Sequence, residues 1–296
     1  SGDPARGEAL YHSSELACLK CHAIGGAGGK VGPDLISIGG SAPVDYLIES
    51  LLVPTKKVKE NFHSLQVLTD EGKVVSGIPV RKTKTELVLR NSEDVTITIP
   101  VANIEESKQG RSLMPDGTVD TLTRVELVHL VRFLSELGKV GNFAVGKEQV
   151  VRRWQSLVWT PQANQRLNRT SFDTAAGDDP ELQWESRYST VQGTLPLGQL
   201  PRFQPHREVN PTSFVRAELL VTTAGMVRLS CPDTTGLAMW VDGRPAKLLA
   251  NMSLRFSRGS HMLTIAIDQQ QRRSAVRLEL LPVNEEGAQA QWRTGK

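Results

Sequence analysis

The sequence predicts two domains: a mostly α-helical N-terminal domain with a small antiparallel β insertion, and an all-β C-terminal domain of the sandwich or jelly-roll type. Three observations lead to this prediction. The chain has 296 residues, which is long for one domain. Apolar residues follow a helical period up to about residue 139, except in one stretch where the period is two. From Phe214 onward, short alternating stretches recur at even spacing.

We place the first domain at residues 1–139, a linker at 140–148, the second domain at 149–283 and a flexible tail at 284–296. The linker is indicated by "KVGNFAVGKE", which is rich in small and polar residues. The tail "NEEGAQAQWRTGK" shows no periodicity and is therefore predicted to be flexible.

In the first domain, a helix is predicted from Pro4 to His12, because Asp3 suits an N-cap and proline suits the first turn. A second helix is predicted over Ala42–Pro54, where the proline ends it. Its predicted apolar face consists of Leu47, Ile48, Leu51 and Leu52.

The β insertion is predicted at about residues 64–108, where apolar and polar residues alternate around Glu71-Gly72 and Asn91-Ser92 turns. A final helix is predicted in "DTLTRVELVHLVRFLSELG", which ends at Gly138. Its predicted apolar stripe consists of Leu122, Val125, Val128, Val131 or Leu130, Leu134 and Leu137.

The composition excludes several function classes. The chain has 35 Lys and Arg against 32 Asp and Glu, a balance that argues against nucleic-acid binding. It contains no apolar run long enough to cross a bilayer, so we expect no transmembrane segment. The start "SGDPARGEALY" lacks the pattern of a signal peptide, so we interpret the sequence as a mature or excised piece. Three cysteines are too few for a disulfide framework.

The chemistry-bearing motif is "ACLKCHAIGGAGGKVGPDL", which contains two cysteines and a histidine. A thioredoxin-like dithiol belongs in a βαβ unit, and no such pattern surrounds Cys18. A structural zinc site needs about four ligands, and only His22 joins Cys18 and Cys21 locally, because Cys231 lies in the other domain. The spacing Cys-x-x-Cys-His therefore indicates attachment of one haem c through two thioether bonds, with His22 as an iron ligand.

"CLKCH" followed by "GGKVGPDL" resembles class I cytochrome c. The resemblance implies that Cys18 and Cys21 anchor the haem, that His22 is the proximal ligand and that the Pro33 carbonyl accepts the hydrogen bond of its imidazole. Met114 in "SLMPDG", the only methionine before residue 226, stands where that family supplies the distal ligand. His12, His63 and His129 are the competing ligands.

Gly7 and Tyr11 share a face of the first helix, and Leu130 and Phe133 have matching spacing on the last one. The resemblance implies that these terminal helices cross closely at the glycine. In one respect the chain departs from the short form of the family: the β insertion separates Leu35 from Met114. That combination resembles the haem-binding domains of exported planctomycete and verrucomicrobial proteins, which implies a mostly α cytochrome c domain followed by a β module.

This resemblance implies an exported protein, periplasmic or extracytoplasmic, that transfers electrons and is not itself an enzyme. Its implied partner is a redox protein or a fused dehydrogenase domain. One alternative is a haem enzyme, or a gas or redox sensor, in which Met114 is displaceable. Another is a carbohydrate-binding protein with an accessory cytochrome.

For the second domain, we weigh a structural brace against a sugar-binding surface around exposed aromatics such as Trp184 or Trp292. Trp240 and Asp242 in "MWVDG" are accounted for by strand packing and by a hairpin turn. Carbohydrate contact therefore stays a secondary expectation for this domain.

Overall fold

The computed structural model describes residues 2–204, 208–282 and 288–294. These residues form two compact units, one within 2–145 and the other within 146–294.

The first unit contains five α-helices within its described residues, and most of them are short. The helices are α1 (Pro4–Tyr11), α2 (Cys18–Cys21), α3 (Ile38–Ser41), α4 (Val44–Leu52) and α5 (Arg124–Glu136), with a 3₁₀ turn at Val101–Asn103. Local sequence sets their starts. The Asp3 carboxylate accepts the Ala5 N–H at 2.9 Å at the start of α1, and Thr123 and Glu126 form a capping box at the start of α5.

The strands of this unit form a two-residue hairpin and one five-stranded antiparallel sheet. The hairpin strands are β1 (Ala23–Ile24) and β2 (Ala27–Gly28); the sheet strands are β3 (Leu65–Thr69), β4 (Val74–Lys82), β5 (Glu86–Arg90), β6 (Thr96–Pro100) and β7 (Ile104–Gln109). The sheet order is β6-β5-β4-β3-β7. Its own small core consists of Val67, Val75, Leu87, Leu89 and Ile99.

The prediction of a mostly α-helical first domain is wrong. The chain is 34% strand and 19% helix, and its sheets are antiparallel. Two causes reduce the helical share. Residues 65–109 are given over to the five-stranded sheet, and the glycine-rich stretch between α2 and α3 contributes turns and a short hairpin. The β element is therefore a principal layer of this unit and not a minor insertion.

Two predicted apolar faces are also corrected by the structure. In α4, Leu47 and Leu51 are buried, whereas Ile48 and Leu52 are exposed. In α5, the buried face contains Leu130, Val131, Phe133 and Leu134, while Val125 and Val128 are exposed. The predicted stripe is therefore buried from Leu130 to Leu137 and wrong at Val125 and Val128, because the helical period alone does not show which turns of α5 are covered.

The close crossing of α1 and α5 at Gly7 is confirmed. A Cβ atom at Gly7 would lie 2.1 Å from the His129 carbonyl oxygen and 2.7 Å from the Cβ of Phe133. Only glycine permits this approach of the two backbones. Beside it, the Tyr11 and Phe133 rings pack with centroids 5.7 Å apart, and both side chains are almost fully buried.

The second unit is a β-sandwich, as predicted. Its strands are β8 (Gln149–Val150), β9 (Arg153–Leu157), β10 (Trp184–Tyr188), β11 (Thr212–Thr223), β12 (Gly225–Ser230), β13 (Leu237–Val241), β14 (Arg244–Ala246), β15 (Asn251–Phe256), β16 (Gly259–Asp268), β17 (Glu279–Leu281) and β18 (Gln289–Trp292). Seven strands form one sheet, β10-β9-β11-β16-β13-β14 with β18 paired to β11, and four form the other, β15-β12-β17-β8.

Side chains from both sheets form the core of the sandwich, including Leu219 and Ile265 from one sheet and Leu229 and Met252 from the other. A second cluster covers the opposite side of Phe214 and Trp240, where α6 (Pro161–Arg169) and α7 (Asp173–Ala176) contribute Leu167 and Ala175. The seven-stranded sheet is therefore packed on both faces over part of its length.

The prediction of a flexible tail at 284–296 is wrong for its central part. Gln289–Trp292 forms β18, which pairs with β11, and the Trp292 side chain is buried. Residues 284–287, 295 and 296 lie outside the described residues. The alternation of Ala288, Ala290 and Trp292 is too short to stand out in sequence, yet these residues join the core of the sandwich.

Within the described part of the chain, the helices are too short or too polar to span a lipid bilayer.

A contact between His261 and Asp242 joins two hairpins of the sandwich. His261 Nδ1 lies 2.7 Å from Asp242 Oδ2, and its Nε2 lies 2.9 Å from the Ser257 carbonyl oxygen. Both partners are acceptors, so the contacts are complete only when the imidazole is protonated. Burial works against the charge, but the hydrogen bonds from Asp242 and Ser257 prevail and raise the pKa of His261.

We therefore expect the stability of the second unit to depend on pH through His261. Because the folded-state pKa lies above the unfolded value of about 6.5, the stabilisation is fully present below that value and is lost as pH rises through the folded pKa. Solvent screening limits it to roughly 1 kcal/mol. Urea unfolding followed by tryptophan fluorescence measures it, since all five tryptophans lie in this unit.

The control is His261→Gln, which should lower stability at acidic pH and remove this part of the pH dependence. Parallel midpoint curves for the wild type and the variant across the range would show that the contact is not charged.

Candidate functional site

The first unit contains one large apolar cavity that gathers the chemistry-bearing residues of the motif. Space free of protein atoms amounts to about 1150 Å³, including the part that opens to solvent. Apolar side chains from every layer of the unit line it, among them Leu35, Leu47, Ile78, Leu130 and Leu134. A cavity of this kind favours a large and mostly apolar ligand.

The two thiols of the motif face this cavity from one helical turn. Cys18 and Cys21 are the first and last residues of α2, so their spacing places both on one side of the turn. Both line the cavity and neither forms a disulfide. Burial raises the pKa of Cys18 to about 11, so its thiol is protonated at neutral pH.

His22 follows directly and is held in a defined orientation. Its Nδ1 lies 2.9 Å from the Pro33 carbonyl oxygen. A carbonyl only accepts, so Nδ1 carries the proton and the lone pair is on Nε2. Burial lowers the pKa of His22 despite the opposing effects of Pro33 and Asp34, which keeps the ring neutral. The residue therefore presents a metal-binding nitrogen in a fixed tautomer.

The loop opposite His22 runs at contact distance from the motif. The Gly29 N–H donates to the Leu19 carbonyl at 2.9 Å, and the Gly32 N–H donates to the Cys21 carbonyl at 2.7 Å. A Cβ atom at Gly32 would lie 2.5 Å from Cε1 and 2.6 Å from Nδ1 of the His22 ring. Side chains are therefore excluded where the loop supports the imidazole.

Met114 is half-buried and also lines the cavity. Two local hydrogen bonds shape its loop. The Met114 N–H donates to the Ser112 hydroxyl at 3.2 Å, and the Thr118 hydroxyl donates to the Pro115 carbonyl at 2.7 Å. Thus Cys18, Cys21, His22 and Met114 all border the same space, while Pro33 borders it and orients His22.

The competing histidines lie elsewhere. Of the described histidines, only His22 lines the cavity. His129 Nδ1 accepts the Asp3 N–H at 2.8 Å, and His63 Nδ1 contacts Gln109 Nε2 at 2.7 Å. Burial lowers the pKa of His12 to about 4, and its ring packs edge-on against Tyr11.

Polar residues are concentrated near one part of the cavity wall. Tyr46, Ser50, Lys57 and Lys59 line the cavity after or within α4. Lys57 Nζ is 3.0 Å from Glu49 Oε2, and Lys56 pairs with the same carboxylate. The basic run at residues 56–59 is therefore partly neutralised within the chain.

The sequence analysis missed several residues of this site. Ile78, on strand β4, brings the β insertion into the cavity wall. The Tyr11 hydroxyl donates to the His22 carbonyl at 3.3 Å. One signal in the sequence could have indicated that the loop packs against the motif, namely the spacing of Gly28, Gly29 and Gly32. A Cβ atom at any of these positions would collide with the Lys20–His22 segment.

The aromatics suggested for a sugar platform are placed differently in the second unit. Trp292 is buried and donates to the Gln149 carbonyl at 2.9 Å. The Arg216 guanidinium lies over the Trp184 ring at 4.2 Å from its centroid. Trp240 is buried and donates to Asp173 at 2.6 Å, in keeping with a packing role. Two of the three are therefore buried, and the guanidinium of Arg216 covers part of the half-buried Trp184.

In the described part of the chain, no group of three or more His, Cys, Asp or Glu side chains is arranged to hold a metal ion. The sequence led us to expect a metal-binding protein. For a metal ion held only by such side chains of the described residues, that expectation is wrong. His22 and Met114 supply at most two protein ligands at the cavity, so an ion there needs a group that brings its own donors.

Comparisons with known proteins give little that bears on function. No protein-family model matches the chain, and no curated protein matches it. Among solved structures, it is similar to two structures of a family two carbohydrate esterase from Clostridium thermocellum, an active-site mutant and a complex with cellohexaose. Identities are 15% and 16%, and both TM-scores are 0.16. The similarity covers 29% of this chain and 28% and 30% of those chains, too little to support an argument.

These findings overturn the family resemblance stated from the sequence. The fold is predominantly β, and no family model and no curated protein, of class I cytochrome c or of the haem-binding domains of exported planctomycete and verrucomicrobial proteins, matches the chain. The chain is therefore assigned to neither family. What the cavity can bind depends on its own residues and their geometry.

The contact between Gly32 and the His22 ring makes a direct prediction. Gly32→Ala should displace the imidazole, weaken the hydrogen bond from Nδ1 to Pro33 and destabilise the unit by roughly 1–3 kcal/mol through overpacking. Imidazole ¹⁵N NMR spectra should show the Nδ1–H tautomer in the wild type and a mixture of tautomers in the variant. The matched control is Gly40→Ala, because its Cβ would meet no atom closer than 3.4 Å. A single Nδ1–H tautomer in Gly32→Ala would contradict the prediction.

Proposed function

We propose that the first unit carries one covalently attached haem c and transfers electrons. The observation that supports this is the convergence of two thiols, an oriented imidazole and a methionine on one apolar cavity. Thioether bonds at Cys18 and Cys21 would hold the haem, and His22 and Met114 would be its axial ligands.

The residues fit this group in three respects. The cavity is lined mainly by apolar side chains, as a porphyrin ring requires. The thiols lie at the two ends of one helical turn, directly before the histidine. The Nε2 lone pair of His22 is available because the Pro33 carbonyl fixes the proton on Nδ1.

When bound, the haem supplies one-electron exchange at its iron. The chain's own residues set the conditions for it. Pro33 fixes the imidazole and raises its basicity, while Gly32 leaves room for the ring. A thioether ligand from Met114 favours the reduced state and raises the potential. Buried Leu130 and Leu134 keep water from the wall formed by α5.

We favour electron transfer over catalysis because, if His22 and Met114 both held the iron of a bound haem, no open position would remain on it for a substrate. In a haem enzyme or a gas or redox sensor, Met114 would instead be displaced. The proposal includes export to the periplasm or another extracytoplasmic compartment and exchange of electrons with a partner protein or a fused dehydrogenase domain.

Covalent attachment is tested with the three cysteines. After expression with a periplasmic haem-attachment system, the wild-type protein should retain haem on a denaturing gel. Cys18→Ser and Cys21→Ser should each weaken the haem stain, and the double variant should abolish it. Cys231→Ser is the matched control, because this cysteine is buried in the second unit. Covalent attachment would be refuted if the wild-type protein showed no haem stain on the denaturing gel, or if the double variant were still stained.

For the second unit we propose carbohydrate contact at Trp159, an aromatic whose side chain is 49% exposed. Its sequence neighbours Val158 and Thr160 line a small cavity together with Gln162, Glu181 and Gln183. Two amides, a carboxylate and a hydroxyl provide donors and acceptors suited to sugar hydroxyls. An open indole ring next to such groups supports binding of a sugar ring by stacking.

A glycan array followed by fluorescence titration tests this second proposal. Binding should be saturable, should shift tryptophan emission and should fall at least tenfold in Trp159→Ala, a loss of about 1.4 kcal/mol. Leu249→Ala is the control, because Leu249 is similarly exposed in the same unit. Absence of any saturable binding, or equal binding by Trp159→Ala, would exclude this surface.

A further inference from the structure

One half-buried ion pair lies outside the cavity and contacts the loop that orients His22. Arg90 ends strand β5, and Asp94 lies in the following turn with φ of 62°. Arg90 Nε is 3.3 Å from Asp94 Oδ1, and the two side chains are 18% and 4% exposed. Within the described residues Arg90 Nε has no hydrogen-bond partner, so its contact with Asp94 is an ion pair without a hydrogen bond.

Both members of the pair also contact the backbone of Lys30. Arg90 Nη1 donates to the Lys30 carbonyl at 3.2 Å, and the Lys30 N–H donates to Asp94 Oδ2 at 3.3 Å. The hairpin end therefore binds one residue of the glycine-rich loop through both of its peptide groups. Lys30 itself is exposed, and its side chain takes no part in these two contacts.

Lys30 lies between the two loop residues that hold the motif. On one side, the Gly29 N–H donates to Leu19; on the other, the Gly32 N–H donates to Cys21. Pro33 follows, and its carbonyl accepts the His22 Nδ1–H. The contacts thus form a continuous path from Asp94 through the loop to the imidazole.

The turn is built to present Asp94 in this way. The Asn91 side-chain oxygen accepts the N–H groups of Glu93 and Val95 at 3.0 and 2.9 Å. Asp94 lies between these two N–H groups, and its backbone is in the left-handed region. This conformation is uncommon outside glycine, but aspartate tolerates it. The hairpin end is therefore shaped locally before it meets the loop.

We propose that Arg90 and Asp94 are positioning residues for His22, acting through Lys30 and the loop that ends at Pro33. Through this pair, the five-stranded sheet holds the loop against the motif from outside the cavity. This inference rests on the proposed function insofar as His22 is a haem ligand, but its structural part holds for the protein with or without haem.

Asp94→Asn is the first test, since it keeps the size of the side chain and removes its charge. Arg90→Lys is the second, because it keeps the charge but lacks the second nitrogen that reaches Lys30. Glu86→Gln is the control. It removes the ion pair between Glu86 and Arg81, which lies on the same sheet but is not among the contacts that reach Lys30.

The first readout is amide hydrogen exchange by NMR, with or without haem. At Gly29 and Gly32, exchange should become at least about tenfold faster in Asp94→Asn and Arg90→Lys, while Leu89 in strand β5 should keep its rate. Glu86→Gln should change none of the three. Equal acceleration at Leu89 would show a purely structural role, and unchanged exchange at both glycines would overturn the proposal.

The second readout is the midpoint potential of the haem-carrying protein. A loosened loop weakens the hydrogen bond from Nδ1 to Pro33, makes the imidazole a poorer donor and should raise the potential in both variants but not in Glu86→Gln. An unchanged potential in a variant with faster loop exchange would also overturn the positioning role. A chain that takes up no haem would refute the proposed function, while the exchange data would still decide whether the pair holds the loop.

Discussion

The structure of the first unit depends on the hydrogen bond between His22 and Pro33 and on the close approach of the two chain segments that make it possible. The loop from Gly28 to Pro33 lies so near the Cys18–His22 segment that a Cβ atom at Gly28, Gly29 or Gly32 would collide with it. This approach fixes the imidazole, aligns it with the two thiols and closes one wall of the cavity. The remaining elements either support this contact or enclose the space in front of it.

The support comes from opposite sides. On the helical side, α1 crosses α5 at Gly7, which allows Tyr11 to reach the His22 carbonyl. On the sheet side, Ile78 closes the cavity wall, and the β5–β6 hairpin contacts the loop through Lys30. The sheet is thus joined to the motif by specific contacts, and both the helices and the sheet contribute to the wall of the cavity.

Sequence reasoning succeeded where the signal was local. Asp3 and Pro4 marked the start of the first helix, Gly138 marked the end of the last one, and the alternation at residues 64–108 marked the strands. It failed where long-range packing decides: Val125 and Val128 fit a helical stripe yet are exposed, and Trp292 in an apparently irregular tail is buried in a strand. The family resemblance failed because short motifs were extended to the fold of a predominantly β chain.

In the function we propose, the cavity would hold a haem whose iron is bound by His22 and Met114. The absorption spectrum of the oxidised protein, compared with that of Met114→Leu, tests it most directly. We expect a weak long-wavelength sulfur-to-iron charge-transfer band in the wild type that disappears in the variant while the haem stays attached. A wild-type protein without haem absorption, or a band that persists in Met114→Leu, would contradict the claim.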